Sequence, residues 1–126
     1  MTNDAAVALE ARIHAGIPLS RAMQYRIVEL ADDAIRVEAP LAPNINVHGT
    51  GFAGSLYALG ILTAWAMTAH LVDRLGIDAD LVVAGAAIRY RAPVSSDIVC
   101  DCNVCPGQVQ TFSERLCYTR LDAATA

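Results

Sequence analysis

Charged side chains are scarce in this chain of 126 residues, since they make up only 17% of it, and they form no long run of one sign. Nine Lys and Arg stand against thirteen Asp and Glu, which gives a net charge of −4. A protein that binds nucleic acid concentrates cationic side chains where it meets the phosphates. The sequence has no such basic stripe, so we expect no nucleic-acid partner.

The sequence also lacks a cationic N-terminal leader and an uninterrupted membrane span. Residues 1–4 are mostly polar, unlike the start of a secretory signal peptide. The apolar stretch at residues 56–72 is shorter than the roughly 20 residues that a membrane helix needs. It also carries Thr63, Thr68 and His70. We therefore expect a cytoplasmic protein that has no membrane partner.

The four cysteines lack the spacing of a structural zinc site, which uses two separated pairs of ligands. Cys100 and Cys102 lie two residues apart in a strand-like stretch. This spacing places both on one face of a strand, where they act as small hydrophobic side chains. Cys105 and Cys117 do not supply a clean second pair. We predict no metal ligands and, in a cytoplasm, reduced thiols.

Apolar residues are abundant, at 55% of the sequence, which exceeds the share in an average domain. A chain of this length is expected to form one domain, so we predict a single domain over residues 1–126. The excess of apolar residues over what one small core needs indicates a homo-oligomer.

Periodicity and turn residues predict the elements of this domain. The first helix has Val7, Ala8, Ala11 and Ala15 as its apolar face, and Asp32-Asp33 suits the turn of a hairpin. The predicted elements are helices at residues 4–15, 54–75 and 109–116 and strands at residues 25–30, 34–39, 81–91, 98–103 and 117–121.

The helix predicted at residues 54–75 is apolar nearly all round. A helix without a polar face has to be covered on most of its sides. Trp65, Met67 and Tyr57 are expected in the core or in the lining of a ligand pocket. The simplest arrangement for one such helix and several strands is an α+β architecture, in which a curved antiparallel sheet wraps around the helix.

The loop before this helix, residues 44–55, concentrates the residues that can carry chemistry. Its glycines let backbone N–H groups approach a ligand, and a helix start offers unpaired N–H donors. Such donors suit a carbonyl that becomes an oxyanion, and Asn46 and His48 would hold or activate a water molecule. The alternative is structural, because Asn and Gly also form turns and Ser55 can serve only as a cap.

Residues 39–59 (APLAPNINVHGTGFAGSLYAL) resemble the thioesterase domain that occurs alone or at the C-terminus of YiiD-type bacterial acetyltransferases. Residues 16–23 and 88–94, followed by Asp97, match the same pattern. The resemblance implies the hotdog fold, in which a curved sheet wraps one central helix. It also implies a homodimer or homotetramer with acyl-thioester sites at the dimer interface.

The loop is similar to the Asn-x-x-Gly-x-x-His-Gly-Gly motif of phenylacetate-pathway hotdog thioesterases. Asn46 and Gly49 fall on its first two fixed positions, and Phe52 stands where that family has His. Ala53 and Gly54 fall on its last two glycines. The resemblance implies that the Gly54 N–H stabilises the oxyanion and that Asn46 orients the thioester or a water molecule.

The predicted catalytic residues are thus Asn46, Gly54 and His48, with His48 as the candidate general base. Arg89 and Arg91 share one face of a predicted strand and suit the phosphates of coenzyme A or of a carrier-protein arm. The alternative for both is a solvated or ion-paired strand face. The predicted substrate-binding residues are Gly49, Thr50, Phe52, Ser55, Tyr57, Arg89 and Arg91.

Two histidines outside the loop have structural interpretations. His14 is expected at the surface. His70 lies near the end of the long helix, where an imidazolium interacts favourably with the helix dipole.

The resemblance implies that water hydrolyses a thioester of acyl-CoA or acyl carrier protein, without a cofactor. Related thioesterases have an acidic residue near Ile61, whereas this helix has none before Asp73. Residues 105–126 match the family poorly, so the domain is expected to lack the usual last strand or to have diverged there. The alternatives are a non-catalytic acyl-thioester-binding or regulatory module of fatty-acid metabolism and a domain that acts beside an acetyltransferase.

Overall fold

The structure of the protein, a computed structural model, describes residues 3–78, 80–83 and 85–104. The helix and strand predicted after Pro106 lie outside these residues, so the single domain over 1–126 and its missing last strand stay predictions. The described elements are α1 (Asp4–Gly16), α2 (Pro18–Ala22), β1 (Arg26–Leu30), β2 (Ala34–Ala39), a 3₁₀ turn (Ala42–Asn44), α3 (Ala53–Arg74) and β3 (Ile98–Asn103).

The three described strands form an antiparallel sheet in the order β1-β2-β3. The predicted hairpin is confirmed, and the Ala31 N–H closes it on the Ala34 carbonyl at 2.8 Å. In β2 the predicted alternation is also confirmed, because Ile35, Val37 and Ala39 are at most 2% exposed. This apolar face of the sheet is the surface on which α3 packs.

Strand β3 brings its two cysteines to the same buried face. Cys102 pairs with Ile35 and Cys100 with Val37 across the ladder. Burial raises the pKa of both thiols to about 11, so they remain protonated near neutral pH and react slowly as nucleophiles. They therefore act as the small hydrophobic side chains that the sequence predicts, and Cys105 and Cys117 lie outside the described residues.

Helix α3 is the central helix of the fold. Its end matches the prediction, because Gly76 has φ +66° and donates its N–H to Asp73 O, while Ile77 donates to Val72 O. These two bonds form a Schellman cap, for which glycine is favoured. The buried residues of the helix are Leu59, Leu62, Thr63, Ala64, Ala66, Met67, Ala69, Leu71 and Val72.

By length and composition, α3 is the one described helix that could cross a membrane, with 22 residues and a mean hydropathy of 1.4 over its most apolar window. Half of that window is buried inside the domain. The buried side packs against the sheet and α1. The apolar character of α3 is therefore accounted for, in large part, by its place in the core.

The prediction of a strand at residues 81–91 is wrong for those of its residues that the structure describes. Segments 80–83 and 85–97 contain no strand, and Val82 is 73% exposed. A strand exists only where a neighbouring strand completes its ladder of hydrogen bonds, and no described strand lies beside this segment. It is attached to α3 instead, where the Trp65 indole N–H donates to the Leu81 carbonyl at 3.3 Å.

The first helix turns a different face to the core from the one predicted. Ala6, Leu9 and Ile13 are buried, whereas Val7 is 55% exposed. The size of the side chains explains which face packs on the core, because Leu9 and Ile13 bury more apolar area than the alanines of the predicted face.

His14 is half-buried rather than at the surface. Its Nε2 hydrogen-bonds the Tyr25 carbonyl at 2.7 Å, and its Nδ1 contacts the Ser20 hydroxyl at 3.0 Å. Because a carbonyl only accepts, the Nε2 carries a proton. This histidine therefore joins α1, α2 and the start of β1.

His70 does not behave as a simple partner of the helix dipole. Partial burial, and next the Arg74 cation, lower its pKa below the ordinary value, and these effects outweigh the opposite ones of Asp32 and Asp73. A lowered pKa means that the unfolded chain holds the proton more tightly than the folded protein does. Protonation of His70 therefore favours unfolding.

We expect the free energy of unfolding to fall as the pH drops from about 6.5, the unfolded pKa, through the lower folded pKa. The His70→Gln variant is expected to lose this part of the pH dependence, because glutamine takes up no proton. Urea denaturation at roughly pH 8 and pH 5 measures the free energy of unfolding of the wild type and of the variant. An equal drop in stability in the two would contradict the assignment.

Candidate functional site

The loop between the 3₁₀ turn and α3 closes on itself as a small hairpin. Ile45 and Gly51 form an isolated antiparallel bridge. Inside it, the Asn46 N–H donates to the Thr50 carbonyl at 2.7 Å, and the Gly49 N–H donates to the Asn46 carbonyl at 3.1 Å. Gly49 has φ +77°, a conformation that glycine adopts without steric cost. The turn therefore explains why this position is a glycine.

Asn46 holds this hairpin together with its side chain. Its Oδ1 accepts the N–H groups of His48 at 2.9 Å and Thr50 at 3.1 Å. Its Nδ2 donates to Thr50 Oγ1 at 2.8 Å and to Gly51 O at 3.4 Å. An Asn carboxamide has two donor hydrogens and two acceptor lone pairs. All four hydrogen-bonding positions are used within the loop. We therefore assign to Asn46 the role of shaping the loop rather than of holding a water molecule.

His48 and Val47 form the tip of the hairpin. Val47 is 94% exposed, and His48 is exposed as well. The imidazole of His48 makes no hydrogen bond to residues 3–78, 80–83 or 85–104, and only its backbone N–H is bound, by Asn46. The ring thus lies on an exposed residue of a turn that Asn46 closes.

Helix α3 begins with three backbone N–H groups that find no acceptor among the described residues. Its N-cap is Phe52, and the first N–H bound to that residue's carbonyl is that of Leu56, at 2.9 Å. The N–H groups of Ala53, Gly54 and Ser55 have no acceptor in the part of the chain that the structure describes. Ser55 is not the cap, because it lies inside the first turn. These three donors form the amide cluster of the site.

The aromatic ring of Phe52 lies directly over Gly54. A Cβ atom at position 54 would stand 2.4 Å from Phe52 Cε2 and 2.9 Å from Cζ. No side chain fits there unless the ring moves, so the ring position requires a glycine. Phe52 is 51% exposed, and Tyr57 is half-buried on the same helix. The ring therefore forms an apolar wall beside the amide cluster.

Two residues of the segment at 85–97 reach this site, and no pattern in the sequence indicates either contact. The Tyr90 hydroxyl donates to the Ala53 carbonyl at 2.7 Å, and Val94 O accepts the Gly51 N–H at 2.7 Å. Arg89 and Arg91 flank Tyr90 and are exposed. Because this segment is not a strand, the prediction that the two arginines share a strand face is wrong. The contact of Tyr90 nevertheless brings the segment to the start of α3.

Asn44 is a third residue of the site whose role the sequence pattern does not indicate. It is 1% exposed, and it lies where the 3₁₀ turn ends. The loop motif places Asn46, two positions later, on a fixed position and gives Asn44 none. Its contacts connect the loop to the sheet and to α3.

A surface groove elsewhere in the molecule does not belong to this site. Its lining includes Arg36 and Asp101, which form an ion pair at 2.7 Å, and it contains no residue of the loop. No group of three His, Cys, Asp or Glu side chains that could hold a metal ion occurs among the described residues. The amide cluster and the His48 hairpin thus remain the candidate site.

Solved structures that resemble this fold include the following three. A protein from Shewanella oneidensis described as a "putative thioesterase" is 40% identical, with a TM-score of 0.77 over 81% of this chain and 75% of that one. A Chlorobaculum tepidum protein of unknown function is 28% identical, with a TM-score of 0.81 over 86% and 68% of the two chains. A Pseudomonas aeruginosa protein described as "Probable Thioesterase" is 20% identical, with a TM-score of 0.67 over 85% and 71%, which supports the fold alone.

These neighbours and the α3-on-sheet arrangement confirm the predicted α+β hotdog fold. The sequence profile of the family described as "Putative thioesterase (yiiD_Cterm)" matches residues 6–123, nearly the whole chain. The resemblance seen in the loop motif is therefore also confirmed, and the chain belongs to this thioesterase family of the hotdog type.

Proposed function

We propose that the protein hydrolyses acyl thioesters with water. The observation that carries this proposal is the amide cluster at Ala53–Ser55, whose N–H groups are unpaired among the described residues at the start of an apolar helix. Preorganised N–H donors stabilise the negative charge that develops on a carbonyl oxygen under attack. Membership of a thioesterase family agrees with that chemistry.

In the proposed reaction, the thioester carbonyl oxygen accepts the N–H of Gly54. His48 takes a proton from a water molecule, whose oxygen forms a bond to the carbonyl carbon. The resulting tetrahedral intermediate collapses as its C–S bond breaks. The thiolate takes the proton back from His48, so the products are a carboxylic acid and a free thiol.

The substrate's two ends would meet different surfaces. The acyl chain would lie against Phe52, Tyr57 and the apolar α3. Arg89 and Arg91 would meet phosphates of coenzyme A or of the carrier-protein arm, because guanidinium groups pair well with phosphate oxygens. Gly49 and Thr50 would act through the loop, since the Thr50 hydroxyl is already bound to Asn46. No cofactor is needed for this reaction.

A homodimer or homotetramer is part of the proposal. Apolar side chains around the loop are exposed in the single chain, among them Ile45 at 49% and Tyr90 at 50%. Apolar surface of this kind is typical of an interaction site. A second copy that covers it would enclose the thioester, and a cytoplasmic location remains part of the same proposal.

A panel of acyl-CoA and acyl-carrier-protein thioesters, from short to long saturated chains, tests the function. Each substrate is scored for binding and for release of free thiol. We expect both, with turnover that depends on the acyl chain. Binding without thiol release from any substrate would contradict hydrolysis.

Binding without thiol release would favour the alternative, a non-catalytic module that binds acyl thioesters. One observation supports this alternative: the only carboxylate within α3 (Ala53–Arg74) is Asp73, at the end of the helix away from the amide cluster. Related thioesterases place an acid in the central helix, so His48 has to supply the base on its own in the proposed reaction.

A further inference from the structure

Asn44 is a buried carboxamide at the base of the loop. Its Nδ2 donates two hydrogen bonds, to the Met23 carbonyl at 2.9 Å and to the Pro40 carbonyl at 2.8 Å. Met23 precedes β1, and Pro40 directly follows β2. One side chain therefore ties the two ends of the sheet's first hairpin to the loop.

The backbone of Asn44 ties the same point to helix α3. Its carbonyl accepts the N–H of Phe52 at 2.8 Å, and Phe52 is both the N-cap of α3 and the residue whose ring covers Gly54. The Asn44 N–H donates to the Leu41 carbonyl, and the Leu41 N–H donates to Asp97 Oδ1 at 3.0 Å. The start of α3 is thus fixed to the sheet through Asn44, with Asp97 as an outer support.

The chemistry of this position requires the two N–H donors of an amide. Its Oδ1 is buried without a hydrogen-bond partner among the described residues, which is costly in free energy. An apolar side chain would remove that cost, but it would leave the carbonyls of Met23 and Pro40 unpaired. The two donated hydrogen bonds are therefore what this residue contributes.

We propose that Asn44 is a positioning residue that sets the direction in which the amide cluster faces the thioester carbonyl. This inference rests on the proposed hydrolysis. A displacement of about 1 Å in a catalytic group can lower the rate by about 10²-fold. Asn44 fixes the backbone of Phe52, one residue before the cluster begins. Loss of its side-chain donors lets the backbone of Phe52 shift. Asn44 itself is not expected to touch the substrate.

The test compares Asn44→Ala with Ser20→Ala, a matched control. Ser20 is also a fully buried polar residue, 0% exposed, and its hydroxyl bonds the Ile17 carbonyl and His14, away from α3. Both variants should be less stable than the wild type. At a temperature where circular dichroism shows both to be folded, we expect kcat to fall by about 10²-fold only in Asn44→Ala, with KM little changed. An equal kcat in the two variants would overturn the proposal.

A second variant covers the case in which Asn44→Ala does not fold. Asp97→Ala removes the exposed support of Leu41, and we expect a smaller loss of kcat. Asp97→Asn should restore kcat, because its amide oxygen still accepts the Leu41 N–H. Failure of this rescue, or no loss in Asp97→Ala, would count against the proposal.

The amide resonance of Gly54 in glycine-labelled protein gives a readout that does not depend on activity. We expect it to move in folded Asn44→Ala or Asp97→Ala and to stay in place in Ser20→Ala. If the wild type releases no thiol, the proposed function fails, whereas the Gly54 resonance still decides whether Asn44 positions the cluster. An unmoved Gly54 resonance would overturn the inference even in an active enzyme.

Discussion

Replacing His48 by alanine is expected to lower acyl-thioester hydrolysis by about 10²–10⁴-fold, the range typical of losing an acid–base group. The imidazole lies at the tip of the loop and has no hydrogen-bond partner among the residues described. Its removal therefore takes away a base without breaking a structural contact within that part of the chain. Release of free thiol, followed at saturating substrate, measures the change in kcat.

Val47→Ala is the matched control for this prediction. Val47 occupies the neighbouring tip position and is 94% exposed, so its truncation perturbs the hairpin as little as the His48 change does. We expect it to retain wild-type turnover. Asn46→Ala should fall in the same range as His48→Ala, because the loop then loses the side chain that shapes it. Wild-type turnover in both His48→Ala and Asn46→Ala would reject the assignment of the loop.

The largest expected effect on stability comes from Leu59→Ala in α3. Leu59 is 0% exposed and belongs to the core between α3 and the sheet. Removing a fully buried leucine side chain loses its transfer free energy and leaves a cavity, which together cost about 2–5 kcal/mol. Urea denaturation at a fixed protein concentration measures the loss, because association would otherwise shift the apparent stability.

Ile61→Ala, two positions along the same helix, provides the comparison. Ile61 is only half-buried, so its truncation should cost less than that of Leu59, although both changes give the same helix-favouring residue. A larger loss at Ile61 than at Leu59 would contradict the burial of α3 in the single chain. It would instead place Ile61 in an interface with a second copy.

The local elements were predictable where a strong periodic pattern coincided with clear stop signals. In β2 the apolar residues alternate with Arg36 and Glu38, and the structure buries the apolar face as expected. The end of α3 was predictable from Gly76, because few other residues adopt its left-handed conformation. In α1, by contrast, the predicted face of Val7 and three alanines was wrong, because the larger Leu9 and Ile13 determined which side packs.

The candidate site was predictable only in part. The glycine-rich loop before an apolar helix indicated the amide cluster, because unpaired donors are a property of every helix start. The roles inside the loop did not follow from the sequence. Two asparagines stand two residues apart, yet Asn46 binds only within the hairpin while Asn44 joins the sheet to α3. Residue type sets which bonds an amide can make, and the chain path determines which partners it meets.

The sequence by itself determined the central apolar helix and the hairpin before it, because each depends on residues close together in the chain. Its motif also identified the family that the profile match confirms. Only the tertiary structure decided that the Phe52 ring covers Gly54, that Tyr90 reaches Ala53, and that residues 80–83 and 85–97 contain no strand. Those features depend on partners far away in the sequence, and a local pattern carries no information about which distant group supplies the hydrogen bond.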